Sequence, residues 1–225
     1  MKKIYFLLAS AVLISSAATA QSVKYGIKIG GNMANWSKET ATMQSASFSQ
    51  SFGSVIGYQV GAFINLNVAG KVGIQPELLY STQGSVQEAN GAGFFSETTI
   101  KTSYVNLPVL FEYKPIGGLG LLIGPQLSYQ ISKKAERMSS SNSVVVTEKF
   151  DSDQLDEMAA EEGKKFNTTD VGAVFGAQYS ISKVVIGARY NMGLISNFKI
   201  DNPNNDFEYK GPKNNSFVVS LGFHF

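Results

Sequence analysis

The chain has no cysteine in 225 residues, which excludes a disulfide framework, a thiolate metal site and a cysteine nucleophile. It has one histidine, His224, so a site built from several histidines is excluded as well. Beyond the first twenty residues no apolar run is long enough to cross a bilayer as a helix. Charge of either sign is sparse, with 19 basic and 17 acidic residues. Lys2 and Lys3 fall in an expected leader that holds no acid, so 17 bases face 17 acids in the rest. Nucleic-acid binders carry a basic excess to neutralise phosphates, and nucleic acid is therefore not an expected partner. Nothing in the residue inventory calls for a cofactor or a metal.

Residues 1–20 have the form of a secretory signal: Lys2 and Lys3, an apolar stretch from Ile4 to Ile14 broken only by Ser10, then Ala18-Thr19-Ala20 as a cleavage site. Cleavage there leaves Gln21 first, and residues 21–225 are expected to form one domain. No cysteine follows for lipid attachment.

After Gln21 the hydrophobic pattern has period two, the period of a strand. Tyr25, Ile27 and Ile29 alternate with Gly26, Lys28 and Gly30. Tyr58, Val60 and Ile64 share one face, opposed by Gly57, Gln59, Gly61 and Phe63. Similar combs run through Val72–Tyr80, Val105–Tyr113, Leu119–Ile131, Val171–Tyr179, Val184–Leu194 and Phe217–Phe225. These eight strands are mostly about 10–14 residues long, against about 5–6 in soluble sheets. About ten tilted residues span a bilayer. Long Ser/Asn/Gly-rich connections (35–53, 84–98, 133–166, 196–214) alternate strictly with short ones (67–71, 114–118, 181–183).

Most of the strand glycines sit on one face. Gly26, Gly57, Gly61, Gly120, Gly124, Gly176 and Gly187 all share the polar parity with Gln, Asn, Glu and Arg. That face cannot make a dry core. It can make the crowded, hydrogen-bonded interior of a narrow barrel whose apolar side meets lipid. The expected fold is therefore all-β: an eight-stranded antiparallel up-and-down transmembrane β-barrel in the outer membrane, with short periplasmic turns and long extracellular loops. Outer-membrane lipid and lipopolysaccharide are the surroundings this implies. Tyr80, Tyr113, Tyr129 and Tyr179 fit interfacial girdles. The comb Phe217, Val219, Leu221, Phe223, Phe225 resembles the C-terminal signal read by the barrel-assembly machinery, the partner expected during insertion. Two features resist the pattern. Pro76, Pro108 and Pro125 each remove a ladder donor, so bulges or early strand ends are expected there. Leu79, Leu110, Leu122 and Val185 break the polar parity.

Several stretches, Gln75-Pro76-Glu77-Leu78-Leu79-Tyr80, Tyr104-Val105-Asn106-Leu107-Pro108, Gly124-Pro125, Asp170-Val171-Gly172-Ala173 and Arg189-Tyr190-Asn191-Met192-Gly193-Leu194, resemble the PorT-like outer-membrane β-barrel family of Bacteroidetes. The resemblance spans the chain after the leader. It implies a barrel like OmpA or OmpX. The namesake's association with protein export is not carried over, because no residue here specifies it.

The charges expected on the inner face are Lys28, Glu77, Glu112, Asp170 and Arg189. An unpaired buried charge is costly, so Arg189 is expected to reach Glu77, with Lys28 and Glu112 near them. The expected role of this network is to plug the lumen; a gated ion path is the alternative. His224 beside Ser216 or Ser220, with Glu112, offers the ingredients of a lipid hydrolase, but its place near the periplasmic rim suggests no pocket. Ser152 can cap a solvated helix over Leu155, Met158 and Ala159. Trp36, Phe48, Phe52, Phe94 and Phe95 lie in the long connections, either as contact anchors or packed on one another. The expected function is non-enzymatic, exerted through surface loops in adhesion, assembly contact or envelope integrity, with a surface or periplasmic protein partner unspecified. An outer-leaflet lipid-modifying enzyme and an accessory barrel in protein export are the alternatives.

Overall fold

The computed structural model describes residues 23–43, 46–50, 52–91, 94–141, 144–161, 163–200 and 207–225. The leader expected over residues 1–20 lies outside them. The elements in chain order are β1 (Val23–Trp36), β2 (Glu39–Met43), β3 (Ala46–Gln50), β4 (Gly53–Ala69), β5 (Val72–Gly91), β6 (Phe94–Tyr113), β7 (Leu119–Ser141), β8 (Val144–Phe150), α1 (Ser152–Glu161), β9 (Lys164–Phe166), β10 (Thr169–Ile181), β11 (Val184–Gly193), β12 (Phe198–Ile200), β13 (Phe207–Lys210) and β14 (Asn214–His224).

Eight of these strands close on themselves. The order β1-β4-β5-β6-β7-β10-β11-β14 returns to β1, and every pairing is antiparallel. Closure leaves the ring without an edge, so every strand has a partner on both sides. At mid-height Ile29 stands opposite Val60 on one neighbour and Leu221 on the other.

The alternation that drew the strands also sets their faces. Ile27 and Ile29 are 55% and 59% exposed, while Lys28 between them is 5% exposed. Tyr58, Val60 and Ile64 look outward, and Gln59 and Arg189 are buried within. A polypeptide in water would not leave this belt uncovered and bury the charges. One in hydrocarbon must. Glycine on the inner face makes room: a Cβ on Gly26 would strike the Phe63 ring, and one on Gly120 would strike the Glu112 carboxylate. The parity breakers are interior too, with Leu110, Leu122 and Val174 packed as an apolar block in the lumen.

The structure corrects the reading at the prolines. Pro76, Pro108 and Pro125 lie within β5, β6 and β7 without a bulge, and the register is the same before and after each. In an antiparallel strand a residue's N–H and C=O point to the same neighbour, so a proline forfeits one bond to one side only. The shifts fall elsewhere, between Ser54 and Gln59, Asn67 and Ala69, and at Ser103–Tyr104.

The long connections are also more ordered than loops. β5, β6 and β7 continue well past the apolar belt, and β8 pairs with the upper half of β7. β2, β3 and β13 form a small sheet, and β9 pairs with β12. The other end has tight turns with left-handed residues at Gly70, Gly118 and Ser182.

Candidate functional site

The lumen is held by one carboxylate between two cations. Glu77 on β5 takes Lys28 Nζ at 2.5 Å and Gln75 Nε2 at 2.7 Å on one oxygen, and Arg189 Nη1 at 2.7 Å on the other. Arg189 also donates to Gln59 Oε1 at 2.8 Å. Lys28, Glu77 and Arg189 are all buried, so their charges are balanced by one another and by amides rather than by bulk water. Glu112 lies toward the periplasmic mouth. It accepts from Asn65 Nδ2 at 2.5 Å and Gln178 Nε2 at 2.8 Å, and pairs with Lys114 at 3.0 Å. Gln178 and Asn65 also donate to Gln75 Oε1, which joins the Glu112 group to the Glu77 group.

Asp170 stands apart. It lies opposite Ser128, four rungs from Val174 toward the extracellular side. Its Oδ2 is 3.4 Å from Asn214 Nδ2, which also donates to the Tyr104 hydroxyl at 2.8 Å, and its Oδ1 has no partner among the described residues. The structure thus joins Lys28, Glu77, Glu112 and Arg189 in one network and leaves Asp170 in another.

Most of the network is uncharged. Besides Gln59, Gln75, Gln178 and Asn65, the upper lumen holds Asn106 donating to Ser81 at 2.8 Å and Gln126 donating to Ser128 at 3.1 Å. These amides share the inward parity of the charges they connect. Phe63 shares it too: its ring lies 4.9 Å from Lys28 Nζ and 5.1 Å from the His224 ring.

The periplasmic mouth does contain a pocket, contrary to the expectation at His224. A cavity of about 260 Å³ is lined by His224, Lys24, Lys114, Glu112, Gln178 and Ser182, among others. No hydrogen bond among the described residues joins His224 to a serine, and Ser216 is engaged by Asn191 at 2.9 Å. Both Glu112 oxygens are occupied. The parts of a Ser-His-acid relay are not assembled.

At the extracellular mouth Trp36, Ile100, Ala135 and Leu155 form a buried cluster with Phe52, Phe150, Phe166 and Phe198 against it. Trp36 meets Phe52 and Phe198 edge-on at 5.5 and 5.6 Å. Trp36 and Phe52 therefore pack on one another, whereas Phe95 is 37% exposed. The side chains of Phe48 and Phe94 lie outside the described residues. α1 belongs to this cap rather than to solvent, because it buries Leu155 and Ala159. Its N-cap is Asp151, not Ser152. Asp151 Oδ1 accepts from the amides of Asp153 and Gln154 at 3.1 Å each, and Gln154 Oε1 accepts from the Asp151 amide at 3.0 Å. Ser152 is drawn away to bond both backbone groups of Lys133 on β7.

A closed ring of eight strands with an apolar exterior belt and a hydrogen-bonded interior defines a transmembrane β-barrel protein. The chain belongs to the outer membrane protein beta-barrel domain family, whose model matches residues 19–199, and its place is the cell outer membrane. Similar solved structures include Neisserial surface protein A (9% identity, 91% of this chain and 99% of that one, TM-score 0.48). Ail of Yersinia pestis shows 12% identity over 91% and 99%, with TM-score 0.38. The N-terminal barrel of Pseudomonas aeruginosa OprF shows 10% identity over 91% and 100%, with TM-score 0.36. No curated protein matches in sequence.

Proposed function

We propose that this barrel is non-enzymatic and non-conducting, and that it acts at the cell surface through its folded extracellular end, in adhesion, assembly contact or envelope integrity. The observation that carries the reading is the Glu77 carboxylate fastened to Lys28 and Arg189 across the lumen. A side-chain network of this kind, beside the Leu110–Leu122–Val174 block, fills the bore that eight strands leave. The capped extracellular mouth, with its buried aromatic cluster, supplies a shaped surface for contact. The motifs around Glu77, Asn106 and Arg189 favour the PorT-like branch of the family, without assigning a role in export. Lipopolysaccharide around the belt and the assembly machinery acting on the Phe225 end complete the proposed partners.

Planar-bilayer recording tests the reading. Near-zero conductance for the wild type and for Arg189→Ala is expected; steady open-channel steps in the wild type would defeat it. The cavity at His224 favours one competing reading, an enzyme acting on lipid. A lipid A deacylation assay addresses it: activity in the wild type that disappears in His224→Ala would replace the non-enzymatic reading.

A further inference from the structure

Three lysines lie together on the outer face of the extension of β6, β7 and β8. Lys101 and Lys134 are directly opposite across the β6–β7 ladder, and Lys149 lies one strand further, opposite Glu136. All three are exposed, and they line a concavity of about 340 Å³ with Thr99 and Glu136. Like charges directly opposite on one face of a sheet destabilise it. None of the three lysines is within ion-pair distance of an acid among the described residues, and Glu136 is the nearest by register.

Their height is informative. On β7 the alternating run of outward apolar residues ends at Tyr129 and Ile131, 56% and 50% exposed. Lys134 follows three residues later. At about 3.3 Å per residue and a tilt of about 40°, that is roughly 7–8 Å above the belt, the depth of a headgroup layer. On the same face four residues farther from the membrane, Glu97 of β6 stands opposite Glu88 of β5.

Building on the lipopolysaccharide surroundings proposed above, we propose that Lys101, Lys134 and Lys149 bind the phosphate groups of an outer-leaflet glycolipid headgroup on the outside of the barrel. A phosphate between Lys101 and Lys134 turns a repulsive pair into two charge-assisted contacts. The apolar belt just below, with Tyr129 and Ile131, takes the acyl chains. An outward site of this kind leaves the lumen closed and tethers the extension to the membrane surface.

The test uses the refolded, detergent-solubilised protein, titrated with diphosphoryl lipid A and with the same lipid stripped of phosphate, and read by native mass spectrometry. The wild type is expected to prefer the phosphorylated lipid. At about 1 kcal/mol per lysine near an anionic surface, Lys101→Gln/Lys134→Gln is expected to weaken binding about 30-fold and to abolish the preference. Lys101→Arg/Lys134→Arg is expected to keep it, and heat-modifiable gel migration checks that each variant is folded. Equal binding of both lipids, unchanged affinity in the Gln double variant, or an equal loss in a Lys71→Gln/Lys183→Gln control at the periplasmic rim would overturn the proposal. So would full competition by inorganic phosphate at the lipid's own concentration, which would mark a free-anion site.

Discussion

Substituting Glu77 by Gln keeps the shape of the lumen and removes its central anion. Lys28 and Arg189 then remain buried with no carboxylate between them, at side-chain exposures of 4% each. Removing one partner of a buried ion pair costs about 3–5 kcal/mol, because the other charge stays desolvated and uncompensated. Here two charges lose their partner at once, so Glu77→Gln should fall at or above that range. Arg189→Met is the control. It removes a charge instead of stranding one: Glu77 keeps Lys28 at 2.5 Å and Gln75 at 2.7 Å, whereas Glu77→Gln strands two cations at once. The expected order of destabilisation is therefore Glu77→Gln, then Arg189→Met, then wild type. The double variant should cost less than the sum of the singles. The assay is denaturant unfolding in lipid vesicles, read by heat-modifiable gel migration and by the fluorescence of Trp36, the single tryptophan. If Glu77→Gln cost under about 1 kcal/mol, or no more than Arg189→Met, the ion triad would be water-screened and the reasoning would fail.

Two further outcomes test the placement and the cap. Ile29→Arg puts a cation on the mid-belt exterior and should cost about 2–4 kcal/mol in vesicles while leaving the detergent-solubilised barrel much less affected. Equal effects in both media would argue that this face does not meet lipid. Asp151→Ala removes both amide contacts at the start of α1 and should cost about 1 kcal/mol, seen as faster proteolysis within 151–161, whereas Ser152→Ala should loosen α1 from β7. Identical cleavage rates in wild type and both variants would contradict the assignment.

What the amino-acid order determined by itself was the barrel and its polarity. A side-chain period of two, sustained through eight long segments with most of their glycine on one face, admits few arrangements, because a strand cannot turn one residue without turning all. Inside and outside followed, and with them the inward positions of Lys28, Glu77 and Arg189. The meeting of Arg189 with Glu77 was already expected from the sequence, whereas the amide links between the charges and the separation of Asp170 were decided by the ring, since contact across a lumen depends on strand order and shear. That is why Glu112 is linked to Glu77 through Gln75 and Gln178, while Asp170 pairs off with Asn214, which also donates to the Tyr104 hydroxyl. The cap was the least legible part. Trp36, Ile100, Ala135 and Leu155 come from four distant segments with no shared period, and only the extension of β6 and β7 beyond the membrane brings them together. The same extension sets Lys101 across from Lys134, a juxtaposition that belongs to the register and to nothing local in the sequence.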